Sequence, residues 1–319
     1  MKFNVLFIKS KYILYFLILL LLLALSFIYM NINKDDNTVP TFQQYASEDF
    51  YEIDLNGDGK KDKLYIIKKE NNYSLNVNTN LDSIVIKSNS KSDFFGEFCT
   101  YWPISINFQD LNRDNTPEIL LQSKSNDKAT QHIIAYDNET ASFKDLISND
   151  NNLLGILDLS NNKTPKLISG NISKNDMIIK SYILINNNFN EFTYANKSDE
   201  NFFCKNLISI IINYLSTKDN PEELYQNIIK NHCSKEIDTK SLNTLTSLNS
   251  DKNNFIFQDA YFQDIKSNKE GYPTELEWNL SFRSSDDSQN KALVNYRYKI
   301  NAILNEKDEF VINSFYAIN

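Results

Sequence analysis

The sequence predicts three consecutive parts: an N-terminal transmembrane helix, an all-β propeller-like repeat domain, and a C-terminal α+β domain. Three observations support this fold class: an uncharged run near the N-terminus, an acidic loop motif that recurs between short strand patterns, and a change to helical patterns after about residue 197. The predicted boundaries are 1–11 cytoplasmic, 12–30 transmembrane signal anchor, 31–41 stalk, 42–197 β-repeat domain, and 198–319 α+β domain.

The first predicted element is the membrane span. Residues Tyr12 to Met30 carry no charge, and Ser26 is the one clear polar side chain among them. At about 1.5 Å per residue, a helix of this length spans roughly the hydrocarbon core of a bilayer. Lysines precede the run and aspartates follow it, so the positive-inside rule predicts a single-pass cell-membrane protein with the bulk of the chain extracytoplasmic. A cleaved signal peptide is the alternative.

Charge restricts the class of partner. The formal net charge is −8 and the isoelectric point is about 5.0. Binding to phosphate backbones requires clustered lysine and arginine, so this balance argues against nucleic acid. The predicted partners are the membrane, through the single span, and an unknown protein or surface ligand.

The repeat domain follows from regularly spaced acidic loops. These loops start at Asp54, Asp110 and Asp158, and each lies between short strand patterns. The pattern predicts three units of about four strands each, a spacing typical of propeller blades.

The first loop, Asp54 to Asp62, places oxygen atoms at positions 1, 3, 5 and 9, with Gly59 at the sharp turn of position 6. Such a set suits Ca²⁺, whereas Mg²⁺ prefers a tighter octahedron. Tyr65 at position 12 and the flanking strands disfavour an EF-hand, and a hairpin turn without an ion is the alternative. The predicted ligands are the side chains of Asp54, Asn56, Asp58 and Asp62 and the main-chain carbonyl of Lys60.

The two later loops preserve the motif to different extents. In the second, Asn115 replaces the glycine of position 6, and asparagine tolerates the left-handed conformation. Its predicted ligands are Asp110, Asn112, Asp114 and Glu118. In the third loop, Lys166 brings a positive charge to position 9, which predicts a turn without calcium.

The pattern Asp-x-Asn-x-Asp-Gly-x-x-Asp, leading into a hydrophobic strand, resembles the VCBS/FG-GAP repeat family, whose repeats also build integrin α-subunit propellers. The resemblance covers roughly residues 45–195. It implies calcium-binding hairpin loops, extracellular placement and a binding or adhesive role. Three units are fewer than the closed propellers of the family use, so the implied β domain is small and partly open.

The C-terminal part reads as helices followed by four long strands. Helices are predicted over 201–216, from Pro221 to about Asn231, and over 235–248, and the pattern faintly resembles an NTF2-like cone. Cys204 and Cys233 fall in the same predicted helical hairpin, where a disulfide and two buried thiols are both compatible with the spacing.

The sequence therefore predicts a membrane-anchored, calcium-binding VCBS/FG-GAP repeat protein that acts as a binding or adhesion module. The alternatives are a hydrolase with its site in the C-terminal cone and a structural subunit of an envelope assembly. His132 and His232 accompany no nucleophile or zinc motif and read as ordinary packed or surface residues. The aromatic segment 94–103 reads either as packing between units or as a binding ridge.

Overall fold

A computed structural model describes the parts of the chain from which all structural statements below are taken. The described residues are 44–45, 50–90, 93–157, 164–173, 176–192, 203–216, 221–250, 255–284 and 293–318. All of them belong to one compact unit, residues 41–319.

The predicted membrane segment, Tyr12 to Met30, lies outside the described residues. Within the described ranges, none of the helices is long and apolar enough to cross a bilayer. The prediction of a single-pass membrane protein is corrected accordingly, because the structure provides no spanning helix in support of it.

The first unit is a four-stranded antiparallel sheet with the order β2-β3-β4-β5. Alternation explains its packing, since Tyr73, Leu75 and Val77 of β4 are buried and the residues between them are less so. Its strands are β2 (Phe50–Ile53), β3 (Asp62–Lys69), β4 (Asn72–Asn78) and β5 (Ser83–Ile86).

The second unit is a sheet with the order β1-β6-β7-β8-β9, in which the short β1 pairs with β6. Both faces of β7 and β8 are buried along most of their length, which places these strands at the centre of the unit. The strands are β1 (Gln44–Tyr45), β6 (Ser105–Gln109), β7 (Glu118–Ser125), β8 (Lys128–Asp137) and β9 (Ser142–Asn149).

The third unit continues into the C-terminal strands as one eight-stranded sheet, ordered β13-β12-β11-β10-β14-β15-β16-β17. The pair β10–β14 is parallel, and the other pairs of this sheet are antiparallel. The strands are β10 (Leu153–Leu157), β11 (Lys166–Ile172), β12 (Met177–Ile185), β13 (Asn188–Phe192), β14 (Phe255–Ser267), β15 (Pro273–Ser284), β16 (Asn295–Leu304) and β17 (Phe310–Ile318).

Three α-helices and a π-helical turn are present in the described residues: α1 (Lys205–Ser216), α2 (Pro221–Asn227), the turn Ile228–His232, and α3 (Thr239–Ser250). The buried face of α1 includes Leu207, Ile208 and Ile211, which belong to the same hydrophobic core as the C-terminal strands. Asp238 caps α3 by accepting a hydrogen bond from the Ser241 N–H at 2.7 Å.

The individual strands and helices agree with the sequence prediction, but the predicted fold class is wrong. The described residues form a mainly β protein with no closed propeller ring. The C-terminal strands do not form a separate α+β cone, because β14 joins them to the third unit. Periodicity identifies a strand, but it does not identify the distant strand with which it pairs. The predicted domain boundary at 197/198 falls outside the described residues.

Candidate metal centre

The three acidic motifs occupy equivalent places in three hairpins. In each hairpin the residue before position 1 pairs with the residue at position 9: Ile53 with Asp62, Gln109 with Glu118, and Leu157 with Lys166. The repeat read from the sequence is therefore also a repeat of strand register, and the hairpins are β2–β3, β6–β7 and β10–β11.

The first loop is organised by its own carboxylates. Asp54 accepts hydrogen bonds from the N–H groups of Gly57 and Gly59, both at 2.8 Å. At the far end of the loop, Asp62 Oδ2 accepts from the Leu55 N–H at 2.9 Å. These bonds close the loop around its acidic side chains.

The second loop has the same hydrogen-bond frame. Asp110 accepts from the Asn115 N–H at 2.9 Å, as Asp54 does from position 6 of the first loop. Glu118 Oε2 accepts from the Leu111 N–H at 2.7 Å. In both loops, therefore, the carboxylate at position 9 accepts a hydrogen bond from the backbone N–H at position 2. The side chains at positions 3 and 5 each accept the N–H two residues further on, and they are Asn56, Asp58, Asn112 and Asp114.

Positive φ angles recur at positions 4 and 6 of both loops. Gly57 and Gly59 have φ of 75° and 80°, and Arg113 and Asn115 have φ of 63° and 67°. The prediction that Asn115 takes over the left-handed position of the glycine is confirmed. A Cβ atom on Gly57 would lie 2.8 Å from Thr116 Oγ1, so the first two loops pack directly against each other.

Burial makes the ninth carboxylates difficult to ionise. Asp62 is fully buried, and burial raises its pKa, with Asp58 and Asp54 adding to the effect while the Leu55 N–H opposes it. Its second oxygen, Oδ1, has no hydrogen-bond partner among the described residues. Glu118 is only 2% exposed, and burial raises its pKa to about 8.

We expect Glu118→Gln to flatten the pH dependence of stability when a chelator is present. Burial raises the Glu118 pKa from 4.5 to about 8 in the folded state. The folded protein therefore keeps the Glu118 proton over a pH range in which the unfolded chain loses it, and the free energy of unfolding falls as pH rises from 4.5 to about 8. The slope is at most about 1.4 kcal/mol per pH unit. Urea unfolding from about pH 5 to about pH 8 measures this slope.

The control for this pH experiment is Glu139→Gln, which makes the same substitution at an exposed residue in the turn between β8 and β9. An unaltered slope in Glu118→Gln would contradict the prediction.

No three or more His, Cys, Asp or Glu side chains gather closely enough to hold a metal ion within the described ranges. The prediction of a ready-formed metal-binding cluster is therefore wrong. The physical reason is that the loop side chains are directed at backbone N–H groups, as described above. The donor chemistry nevertheless suits a hard cation, since oxygen atoms fill each loop and a buried carboxylate oxygen of Asp62 has no partner there.

The third loop differs from the other two at position 9. Asp158, Ser160 and Asn162 lie outside the described residues. Lys166 is buried at the start of β11, with its Nζ 5.8 Å from the ring centroid of Phe192. The expectation that this loop takes no calcium stays a prediction.

The aromatic segment that follows the first unit packs between units. Phe95 and Trp102 are buried. Glu97 forms β-bridges to Asn72 of β4 and Lys124 of β7, and its carboxylate lies 2.5 Å from Lys124 Nζ. The interpretation of this segment as inter-unit packing therefore describes its central residues.

Two features near the histidines could not be read from the sequence. His132 is fully buried beside Asp145, with His132 Nδ1 and Asp145 Oδ2 2.8 Å apart. His232 and Cys204 line a cavity of about 320 Å³. Burial raises the pKa of the Cys204 thiol, so this side chain is protonated at neutral pH.

Cys204 and Cys233 are free thiols in the described structure.

All nine predicted ligand residues lie in the first two loops, which contact each other through Gly57 and Thr116. No protein-family model matches this chain, and no curated protein matches it either.

Proposed function

We propose that this is a calcium-binding protein that acts by binding a partner or ligand, and that Ca²⁺ braces its first two hairpin loops. The observation that carries the proposal is the hydrogen-bond frame common to both loops, together with the buried and unpartnered Oδ1 of Asp62 among the described residues. A carboxylate buried in this way is costly unless a cation or a donor satisfies it.

The residues that would hold the ions are those of the two loops. In the first loop they are Asp54, Asn56, Asp58, Asp62 and the carbonyl of Lys60, and in the second Asp110, Asn112, Asp114 and Glu118. Bound Ca²⁺ supplies positive charge to carboxylates that burial otherwise makes hard to ionise. Because the loops touch, an ion in either one would stiffen the junction between the first two sheets.

The binding role is proposed because the two loops brace hairpins rather than form a catalytic site. They connect strands β2–β3 and β6–β7, and one carboxylate oxygen of Asp54 and one of Asp110 each accept a backbone N–H at position 6 of their loop. The resemblance to VCBS/FG-GAP repeats adds the expectation of an adhesive role, which belongs to the same proposal.

Thermal unfolding with and without calcium tests the proposal. We expect the melting temperature to rise in millimolar Ca²⁺ relative to a chelator, because an ion that binds only the folded state stabilises it by about 3 kcal/mol at a hundred times its dissociation constant. Mg²⁺ at the same concentration should give a smaller shift.

The variant Asp62→Asn should reduce the calcium-dependent shift, because it removes a carboxylate from the first loop and leaves the second loop intact. Asp82→Asn is the matched control, since Asp82 lies in the neighbouring β4–β5 turn and belongs to neither loop. Equal melting temperatures with calcium and with chelator, or a full shift in Asp62→Asn, would overturn the proposal.

A further inference from the structure

The first acidic loop contains the one asparagine in the sequence that is followed by glycine, Asn56 before Gly57. Asparagine is a chemically labile residue, because the main-chain nitrogen of the next residue can attack its side-chain carbonyl carbon. A glycine at that next position leaves the attack unhindered, since glycine has no Cβ atom and restricts the backbone least. Water reaches this part of the loop, because residues 57–60 are exposed and Asn56 is half-buried.

Deamidation at this position needs only water as a co-reactant. The Gly57 nitrogen loses its proton and forms a bond to Cγ of Asn56, the Cγ–Nδ2 bond breaks, and the amide group leaves as ammonia with that proton. Water then opens the resulting succinimide ring. Attack of water at Cγ gives aspartate, whereas attack at the main-chain carbonyl carbon gives isoaspartate, in which the main chain runs through the side chain.

Hydrogen bonds of the closed loop hold both reacting groups. The Gly57 N–H donates to Asp54 Oδ1 at 2.8 Å, and Asn56 Oδ1 accepts the Asp58 N–H at 3.0 Å. The Gly57 nitrogen must give up its proton as it attacks, and the neighbouring carboxylate disfavours the negative charge that would form on it. The folded loop therefore slows the ring closure, and opening of the loop releases both groups.

The second loop offers an internal comparison with a similar geometry. Asn112 stands at the same position 3 and also accepts the N–H two residues further on, from Asp114 at 3.0 Å. The residue after it has a positive φ as well, 63° at Arg113 against 75° at Gly57. The arginine side chain crowds the attacking nitrogen, whereas glycine does not. The residue at position 4 therefore distinguishes a reactive asparagine from a slow one.

We infer that Asn56 is a site of spontaneous deamidation, and that the closed first loop holds this modification back. The product either carries a carboxylate in place of a neutral amide or has a main chain longer by a methylene group. The hydrogen bonds of the loop depend on the spacing of its residues, so isoaspartate at position 3 would disrupt them. This modification goes beyond calcium binding and does not require it.

Peptide mapping by mass spectrometry tests the inference. The full chain is incubated with a chelator at mildly alkaline pH, and the fractions of aspartate and isoaspartate at Asn56 and Asn112 are followed over time. Asn56 should convert, and Asn112 should convert far more slowly. In urea the conversion of Asn56 should be about tenfold faster than in the folded protein, because the unfolded chain lacks the two restraining hydrogen bonds.

A matched pair of variants examines the restraint. Asp54→Ala frees the Gly57 N–H and should speed up the conversion of Asn56 in the folded protein several-fold. Asp110→Ala makes the equivalent change in the second loop and should leave the rate at Asn56 unchanged. Circular dichroism checks that both variants are folded, and the comparison of Asn56 with Asn112 in the parent protein needs no variant.

Arg113→Gly transfers the reactive pair to the second loop. Glycine adopts the φ of 63° at this position freely, so the variant should fold and its Asn112 should now convert. Equal rates at Asn56 and Asn112 in the parent protein, or an Arg113→Gly protein whose Asn112 stays intact, would overturn the modification site. The restraint by the loop is overturned if folding or Asp54→Ala leaves the rate at Asn56 unaltered.

The chelator in every incubation separates this inference from the calcium proposal. Conversion of Asn56 without any calcium-dependent rise in melting temperature overturns only the calcium proposal. A calcium-dependent rise with an Asn56 that stays intact overturns only the modification site.

Discussion

Gly155→Ala is expected to destabilise the protein by about 3 kcal/mol, because the new methyl group would overlap an immobile aromatic ring. Gly155 of β10 pairs with Phe262 of β14, and a Cβ atom at Gly155 would lie 2.2 Å from that ring. The ring is held by stacking on Trp278, with centroids 4.4 Å apart. The substitution therefore strains the pair that unites the third unit with the C-terminal strands.

Urea unfolding followed by circular dichroism measures this cost. The control is the double variant Gly155→Ala/Phe262→Leu, in which the smaller side chain gives the methyl group room. Its loss should be smaller than the sum of the two single losses by about 1 kcal/mol. Strictly additive losses would contradict the proposed contact, as would a Gly155→Ala protein as stable as the parent.

Asp145→Ala is expected to cost about 3 kcal/mol, because leaving one buried hydrogen-bonding group without its partner costs about 1–3 kcal/mol and this substitution affects two such groups. His132 and Asp145 are both fully buried, and Asp145 Oδ2 also accepts the Asn89 N–H at 2.9 Å. Asn89 follows β5, so Asp145 links the first unit to β9 of the second. Truncation would leave the His132 Nδ1 and the Asn89 N–H without this partner.

Two variants make the Asp145 experiment specific. Asp145→Asn keeps an oxygen acceptor and should lose less stability than Asp145→Ala. Glu139→Ala removes an exposed carboxylate from the turn between β8 and β9 and should change stability by less than about 0.5 kcal/mol. The prediction is contradicted if Asp145→Ala is no more costly than Glu139→Ala.

The parts of the structure that could be predicted from the sequence are local. The strands around each acidic loop alternate or run continuously apolar, and these patterns depend only on neighbouring residues. The hydrogen-bond frame of the loops is also local, because each bond joins residues at most seven positions apart. Motif spacing therefore identified both loops and the left-handed turn at Asn115.

The contacts that join the aromatic segment to β14 are far apart in sequence. Trp102 bonds Asp259, and Gln258 bonds Tyr101, each across 157 positions. Neither pair belongs to a motif. Trp102 could therefore be recognised from the sequence only as part of an aromatic segment, and Gln258 could not be recognised at all. The same holds for His132, whose partner Asp145 lies on the adjacent strand in an otherwise ordinary pattern.

The sequence by itself determined the elements, the three-fold repeat of the hairpins and the oxygen-rich chemistry of two loops, because periodicity and short-range hydrogen bonding are properties of neighbouring residues. Only the tertiary structure decided that the third unit shares a sheet with the C-terminal strands, and that the aromatic segment is hydrogen-bonded to β14. Strand pairing between β10 and β14 depends on steric fit between distant residues, here Gly155 beneath the ring of Phe262. A local sequence pattern cannot predict such a fit.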